Sequence, residues 1–136
     1  MPIRHSWLSE DHRVLILHFE GAWTWQEFAR YYTQDVVPML AAESHTVHII
    51  SDVTKQKSPP LGAALSEARS IVRHLAPNQG MIISVTNDMF VYSLANLFHQ
   101  IYSRTTPVPT PAAKSMAEAL ALIKEYDEAH STSALG

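Results

Sequence analysis

Along this chain, short and almost wholly apolar runs alternate with longer stretches whose apolar residues return every three or four positions. That alternation is the mark of buried strands interleaved with amphipathic helices. Ile3 to Leu8 mixes apolar and polar residues as an edge strand does, and Ser9-Glu10-Asp11-His12 supplies turn formers before a second run, Val14 to Phe19. The pair predicts a hairpin whose second strand is covered on both faces and ends at Gly21. Val47 to Val53, centred on Ile49 and Ile50, predicts a third strand, and Met81 to Thr86 a short buried fourth. Thr105 to Pro111 carries Pro107, Pro109 and Pro111, so a strand there pairs only partly and belongs at an edge.

The helices announce their starts. Thr24-Trp25-Gln26-Glu27 reads as a capping box, with Trp23 and Phe28 in the two positions of a hydrophobic staple. Phe28, Tyr31, Tyr32, Val36, Met39 and Leu40 follow at helical spacing, and Pro38 predicts a kink, or the end of regular helix, near Val37. Ala64, Leu65, Ala68, Ile71, Val72 and Leu75 mark one face of a second helix that stops before Pro77-Asn78-Gln79-Gly80. Asn87 or Asp88 caps a third helix, for which the inward stripe is Phe90, Val91, Leu94, Leu97, Phe98 and Ile101. A second capping box, Ser115-Met116-Ala117-Glu118, opens the last helix, with Met116, Ala119, Leu120, Ile123 and Tyr126 inward.

The order β-β-α-β-α-β-α-β-α predicts a single α/β domain over residues 1–127, a mixed and mostly parallel sheet of about four or five strands with an N-terminal hairpin and four main helices. Residues 128–136, small and polar, read as a fraying, flexible tail. With 136 residues, 46% of them apolar and 17% charged, the chain can bury one core. A formal charge of −3 with scattered Lys and Arg offers no basic stripe, which argues against nucleic acid as a partner. The absence of cysteine excludes disulfides and thiol catalysis and fits a reducing compartment. No apolar run approaches the ~18 residues of a membrane span, and the N-terminus lacks a signal-like segment, so a cytoplasmic protein is the expectation.

One turn concentrates the polar chemistry. Asp52-Val53-Thr54-Lys55-Gln56-Lys57-Ser58-Pro59-Pro60-Leu61-Gly62 leaves the third strand at its carboxyl end, where open α/β sheets keep their sites, and enters the second helix. Here the chain resembles the STAS domain, named for sulphate transporters and anti-sigma factor antagonists, and in particular its divergent sporulation-antagonist-like branch. The resemblance spans Ile3 to about Tyr126 in element order. In regulatory members the strand ends in Asp-Leu-Ser or similar, and the turn reads Asp-Ser-Ser-Gly-Leu-Gly with a phosphorylated Ser. Asp52-Val53-Thr54 matches the first piece and Lys57-Ser58-Pro59-Pro60-Leu61-Gly62 occupies the second. Pro59 stands where the family's usual phosphoacceptor would be, and proline has no hydroxyl.

The resemblance implies a regulatory module that binds a protein partner through Asp52, Thr54, Ser58 and Gly62, without the usual switch. Ser58 or Thr54 could serve as shifted phosphoacceptors at a helix N-terminus. The competing reading of Ser58-Pro59 is structural, an N-cap followed by proline at the first helical position. Asp52 has its own structural alternative, holding the turn through backbone amides.

Elsewhere the signals thin out. Eight histidines carry no metal-ligand spacing, since His45 and His48 fall on opposite strand faces and His18, His74 and His99 stand alone on their elements. No metal or cofactor is expected. No Gly-x-Ser-x-Gly elbow or glycine-rich phosphate loop occurs, and hydrolysis by Asp52, Ser58 and a histidine is the poorest of the readings, so the chain is taken as non-catalytic. Trp25 and Tyr32 point away from the staple on a helical wheel and, with Tyr92, His99 and Tyr102 on the third helix, form a candidate interface, including one for a homodimer. The alternative function is a carrier of a small, lipid-like apolar ligand, motivated by the aromatic and methionine content.

Overall fold

In the computed structural model, which describes residues 2–57 and 64–135, a five-stranded sheet runs in the order β1-β2-β3-β4-β5. β1 (Ile3–Trp7) pairs antiparallel with β2 (Val14–Gly21), and all later pairings are parallel: β2 with β3 (Val47–Gln56), β3 with β4 (Gln79–Val85), and β4 with β5 (Ala112–Ala113). The hairpin, the α/β class and the mostly parallel sheet are therefore as the hydrophobic pattern predicts. Sequential strand order with parallel neighbours requires a helical crossover between each pair. α1 (Trp25–Tyr31) with its continuation, α3 (Ala64–Val72) and α4 (Met89–Tyr102) supply them, and α5 (Met116–Leu135) closes the chain.

The first crossover shows the effect of Pro38. Regular α-helix gives way just before the proline to a π-helical turn, Tyr32–Val36, and the chain then runs on without a break into α2 (Val37–Ala41). A proline ring in regular helix collides with the carbonyl four residues back and has no amide to offer it. Widening the preceding turn, so that the Val37 amide reaches the Tyr32 carbonyl, relieves that collision and lets the helix run on. The start is the expected capping box, with the Glu27 amide donating to Thr24 Oγ1 and the Thr24 amide to Glu27 Oε1, each at 3.1 Å. Trp23 and Phe28 stack edge to face across it at 5.9 Å, completing the staple.

The sheet has two differently covered faces. On one, Val14, Ile16, Ile50, Met81, Ile83, Val85 and Ala113 pack against Ala119 and Ile123 of α5, with Met116, Leu120 and Tyr126 alongside. On the other, Leu15, Leu17, Phe19, Val47 and Ile49 pack beneath Tyr32, Val36, Leu40 and Ile71. Three boundaries differ from the pattern. β3 continues to Gln56, three residues past its expected end, because Lys55 and Gln56 pair with Glu20 and Gly21 beyond an irregularity in β2. The proline segment contributes through carbonyls alone, Pro109 and Pro111 accepting from the Ile82 and Ser84 amides, and the assigned strand is only Ala112–Ala113. α5 extends to Leu135, through the segment read as a tail, since no glycine or proline interrupts it before Gly136.

One buried polar contact ties α5 to the sheet. His48, 2% exposed, accepts the Met81 amide at Nδ1 (2.9 Å), which leaves Nε2 to donate to Asp127 Oδ1 at 2.7 Å. The Tyr126 ring stands edge-on to the imidazole at 5.2 Å. The space is made by Gly80: a Cβ there would lie 2.3 Å from His48 Nδ1 and 2.9 Å from Thr46 Cγ2. Gly80→Ala is expected to force His48 out of its place, leaving the Met81 amide unpaired. A loss of about 2–3 kcal/mol in urea unfolding should follow. An unchanged midpoint and slope would show that the imidazole moves without cost.

Candidate functional site

Among the described residues, the sheet face opposite α5 is covered only in part. A partly open cavity of about 180 Å³ lies between β2, β3 and β4 below and α1, α3 and α4 above. Its floor is Leu17 and Phe19 of β2, Ile49, Ser51 and Val53 of β3, and Ile82 and Ser84 of β4. Strand alternation puts these residues on one face. The same geometry explains an asymmetry in β4, an internal strand: Met81, Ile83 and Val85 are buried under α5, whereas Ile82 and Ser84 are only half-buried.

An aromatic wall encloses one side. Phe19, Trp23, Trp25 and Phe28 meet in a chain of tilted and edge-to-face pairs 4.9–6.0 Å apart, a spacing at which the rings attract through their quadrupoles. The opposite wall is Ala68, Ile71 and Val72 of α3 with Val91, Leu94, Ala95 and Phe98 of α4. Polar atoms are few. Gln56 Oε1 is occupied by Trp23 Nε1 at 2.8 Å, and the buried Tyr32 hydroxyl donates to Gln79 Oε1. Burial pushes the Tyr32 phenol well above its ordinary range, so it stays protonated as a donor. Among the described residues the lining contains no Asp, Glu, Lys, Arg or His.

Among the described residues, those singled out from the sequence do not gather into one site. Asp52 and Thr54 lie on β3 rather than in a turn, and they bind each other: Asp52 Oδ1 accepts the Thr54 amide at 3.0 Å and the Thr54 hydroxyl at 2.6 Å. This is the local structural use of a short carboxylate. A phosphate on Thr54 would sit beside that carboxylate, which charge repulsion opposes. Ser58 and Gly62 lie outside the described residues. Tyr32 is corrected: at 1% exposure it is core, not surface, because it lies one helical turn after Phe28 and packs edge-on against it.

Trp25 is half-buried and lines the cavity. Tyr92 and Tyr102 are half-buried under Lys114 and Arg69, whose charges lie 5.1 and 5.2 Å from the ring centres. His99 accepts the Thr110 amide at Nδ1 (3.3 Å), joining α4 to the proline segment. The stripe expected to face inward on α4 is split: Val91, Leu94 and Phe98 meet the cavity, whereas Phe90, Leu97 and Ile101 are exposed. Sequence reading missed the hydroxyls of Ser51, Ser84 and Thr110, whose only signal was a serine within each of two apolar strands.

On the other face, Ser6 Oγ lies 2.8 Å from His18 Nε2, and His18 is the register partner of Asp52. The Asp52 oxygen is engaged by Thr54, so the grouping lacks the imidazole-carboxylate bond that orients a general base. Among the described residues no group of three or more metal-capable side chains converges, and no helix is long and apolar enough to cross a membrane.

No family model and no curated protein sequence matches the chain. Among solved structures it is similar to an uncharacterized protein of the DUF3478 family with a SpoIIAA-like fold from Shewanella loihica PV-4. That protein shares 16% identity at a TM-score of 0.60, over 88% of this chain and 90% of that one. The fold is thus SpoIIAA-like, of the STAS kind that the element order resembles.

His18 carries a measurable consequence of its position. Burial first, then the Arg4 charge, holds its pKa below the ordinary 6.5, with Lys55 adding to the lowering while Asp52 and Glu20 oppose it. The unfolded chain therefore takes up this proton at higher pH than the folded one. The His18 contribution is present above about 6.5 and declines as the pH falls toward the folded value. Unfolding free energies at about pH 7.5 and 5 should diverge less in His18→Gln than in the parent. An identical pH slope in both would remove His18 from the account.

Proposed function

We propose that this chain is a non-catalytic module of SpoIIAA-like fold that binds a small apolar ligand in the cavity between the sheet and α1, α3 and α4. The observation that carries the reading is the lining itself: aromatic and aliphatic side chains around about 180 Å³, with Ile82 and Ser84 of an internal strand left half-covered. Native interiors pack with few voids larger than a water molecule, so a space of this size lined by rings is suited to an occupant. Its volume is enough for a single ring, since an apolar cavity of about 150 Å³ holds benzene.

Filling the cavity from α4 separates binding from folding. Ala95→Leu places added methyl groups where the ligand would lie. Affinity for indole or toluene should fall about tenfold or more, while stability holds or rises. Titration followed by tryptophan fluorescence or calorimetry reads the first effect, and urea unfolding the second. Equal affinity in parent and variant would place the binding elsewhere.

A second reading, of regulation through self-association, rests on α4. Its 14 residues, Met89–Tyr102, include no Asp, Glu, Lys or Arg, yet Met89, Phe90, Leu97 and Ile101 are 62, 63, 44 and 52% exposed. Phe90, Leu97 and Ile101 share the outward stripe of the helix, seven and four residues apart. Two copies related by a two-fold axis can therefore set these stripes antiparallel, Phe90 of one facing Ile101 of the other, without charge repulsion. A helix pair about 21 Å long covers less than the ~800 Å² per partner of a standard interface, so this dimer would be weak. Sedimentation should show concentration-dependent dimers at tens of micromolar and above that Leu97→Glu abolishes. A parent that stays monomeric to millimolar concentration would exclude the contact.

A further inference from the structure

The cavity is apolar, but its floor is not uniformly so. Ser51 and Ser84 are register partners on β3 and β4 and both line the space. Thr110 lines it from the adjoining segment, whose neighbours Pro109 and Pro111 accept the amides of Ile82 and Ser84. Three hydroxyls are thus carried around the cavity by three neighbouring chain segments.

Thr110 is the informative one. It is 8% exposed, its amide is held by His99, and its Oγ1 has no hydrogen-bond partner among the described residues. Leaving a buried hydroxyl unpaired is unfavourable, and valine would fill the same volume without that penalty. A ligand atom that pairs with Oγ1 removes it.

Resting on the apolar-ligand reading above, we propose that the ligand is a neutral ring compound about the size of a substituted benzene, bearing one hydroxyl or carbonyl. That group hydrogen-bonds to Thr110 Oγ1, with Ser51 and Ser84 beside it, and the ring lies against the aromatic wall. Neutrality follows from the described lining, which offers no charged side chain of either sign. A carboxylate or ammonium would lose its water there without a counter-charge.

The test compares three probes of one shape: p-cresol, toluene and p-toluate. In the parent, p-cresol should bind about five- to tenfold more tightly than toluene, the increment of one buried hydrogen bond, and p-toluate more weakly than either. Thr110→Val should bring p-cresol down to the affinity of toluene while toluene is unchanged. Ser84→Ala provides a second reading of the same discrimination on a separate strand. Equal binding of p-cresol and toluene, or an equal loss of both in Thr110→Val, would overturn the hydroxyl assignment and leave the apolar cavity standing. Failure of both to bind would instead overturn the cavity reading, and this inference with it.

Discussion

The structure depends on β3 being paired on both sides and covered on both faces. From His48 to Asp52 it lies between β2 and β4, with β2 alone beside Lys55 and Gln56, and its alternating side chains divide the molecule into two layers. Val47, Ile49, Ser51 and Val53 look toward α1 and α3, whereas His48, Ile50 and Asp52 look toward α5. A one-residue slip would exchange the two sets, placing His48 in the aromatic layer and Ile49 against Asp127. His48 guards against that slip, because its two ring nitrogens are matched to Met81 and Asp127 and its ring occupies the space that Gly80 leaves. A buried polar group with one satisfied arrangement helps specify a register that apolar residues alone would leave looser.

With the register set, the difference between the layers follows from their helices. α5 lies along its face as one long helix and seals it. The other face is shared by α1, α3 and α4, which line a cavity together with Ile82 and Ser84 of β4. The π turn before Pro38 places Tyr32, Val36 and Leu40 in the core, and the aromatic cluster at the head of α1 rims the gap. The cavity is then what remains when three short elements cover a twisted sheet.

Much of this was legible in the residues. The hairpin, both apolar central strands, the Thr24 box, the Asp88 cap and the inward face of α5 follow from periodicity and capping chemistry. Thr54, Lys55 and Gln56 read as turn because they are polar, yet they extend β3 because β2 has backbone groups to offer at Glu20 and Gly21. Helical spacing groups Phe90, Leu97 and Ile101 on one stripe but does not say whether the stripe faces the sheet or solvent. Tyr32 shows the reverse error, since a wheel drawn with uniform pitch takes no account of what packs against each side. The cavity was illegible for a deeper reason: a void is a property of how elements fail to meet, and no single element encodes it.

The proposed site is accordingly the cavity, not the turn that the sequence singled out. The turn at the end of β3 drew notice for its hydroxyls and carboxylate, but the described part of it is a strand whose polar atoms bind one another. Groups already paired in the folded state have little left for a ligand, whereas an unpaired buried hydroxyl has its whole hydrogen-bonding capacity in reserve. By that measure Thr110, lining the cavity and lacking a partner among the described residues, is better placed to recognise something than Asp52 or Thr54. In a small α/β domain, incomplete helix cover thus supplies both the room for a ligand and the unsatisfied polar atom that would distinguish one ligand from another.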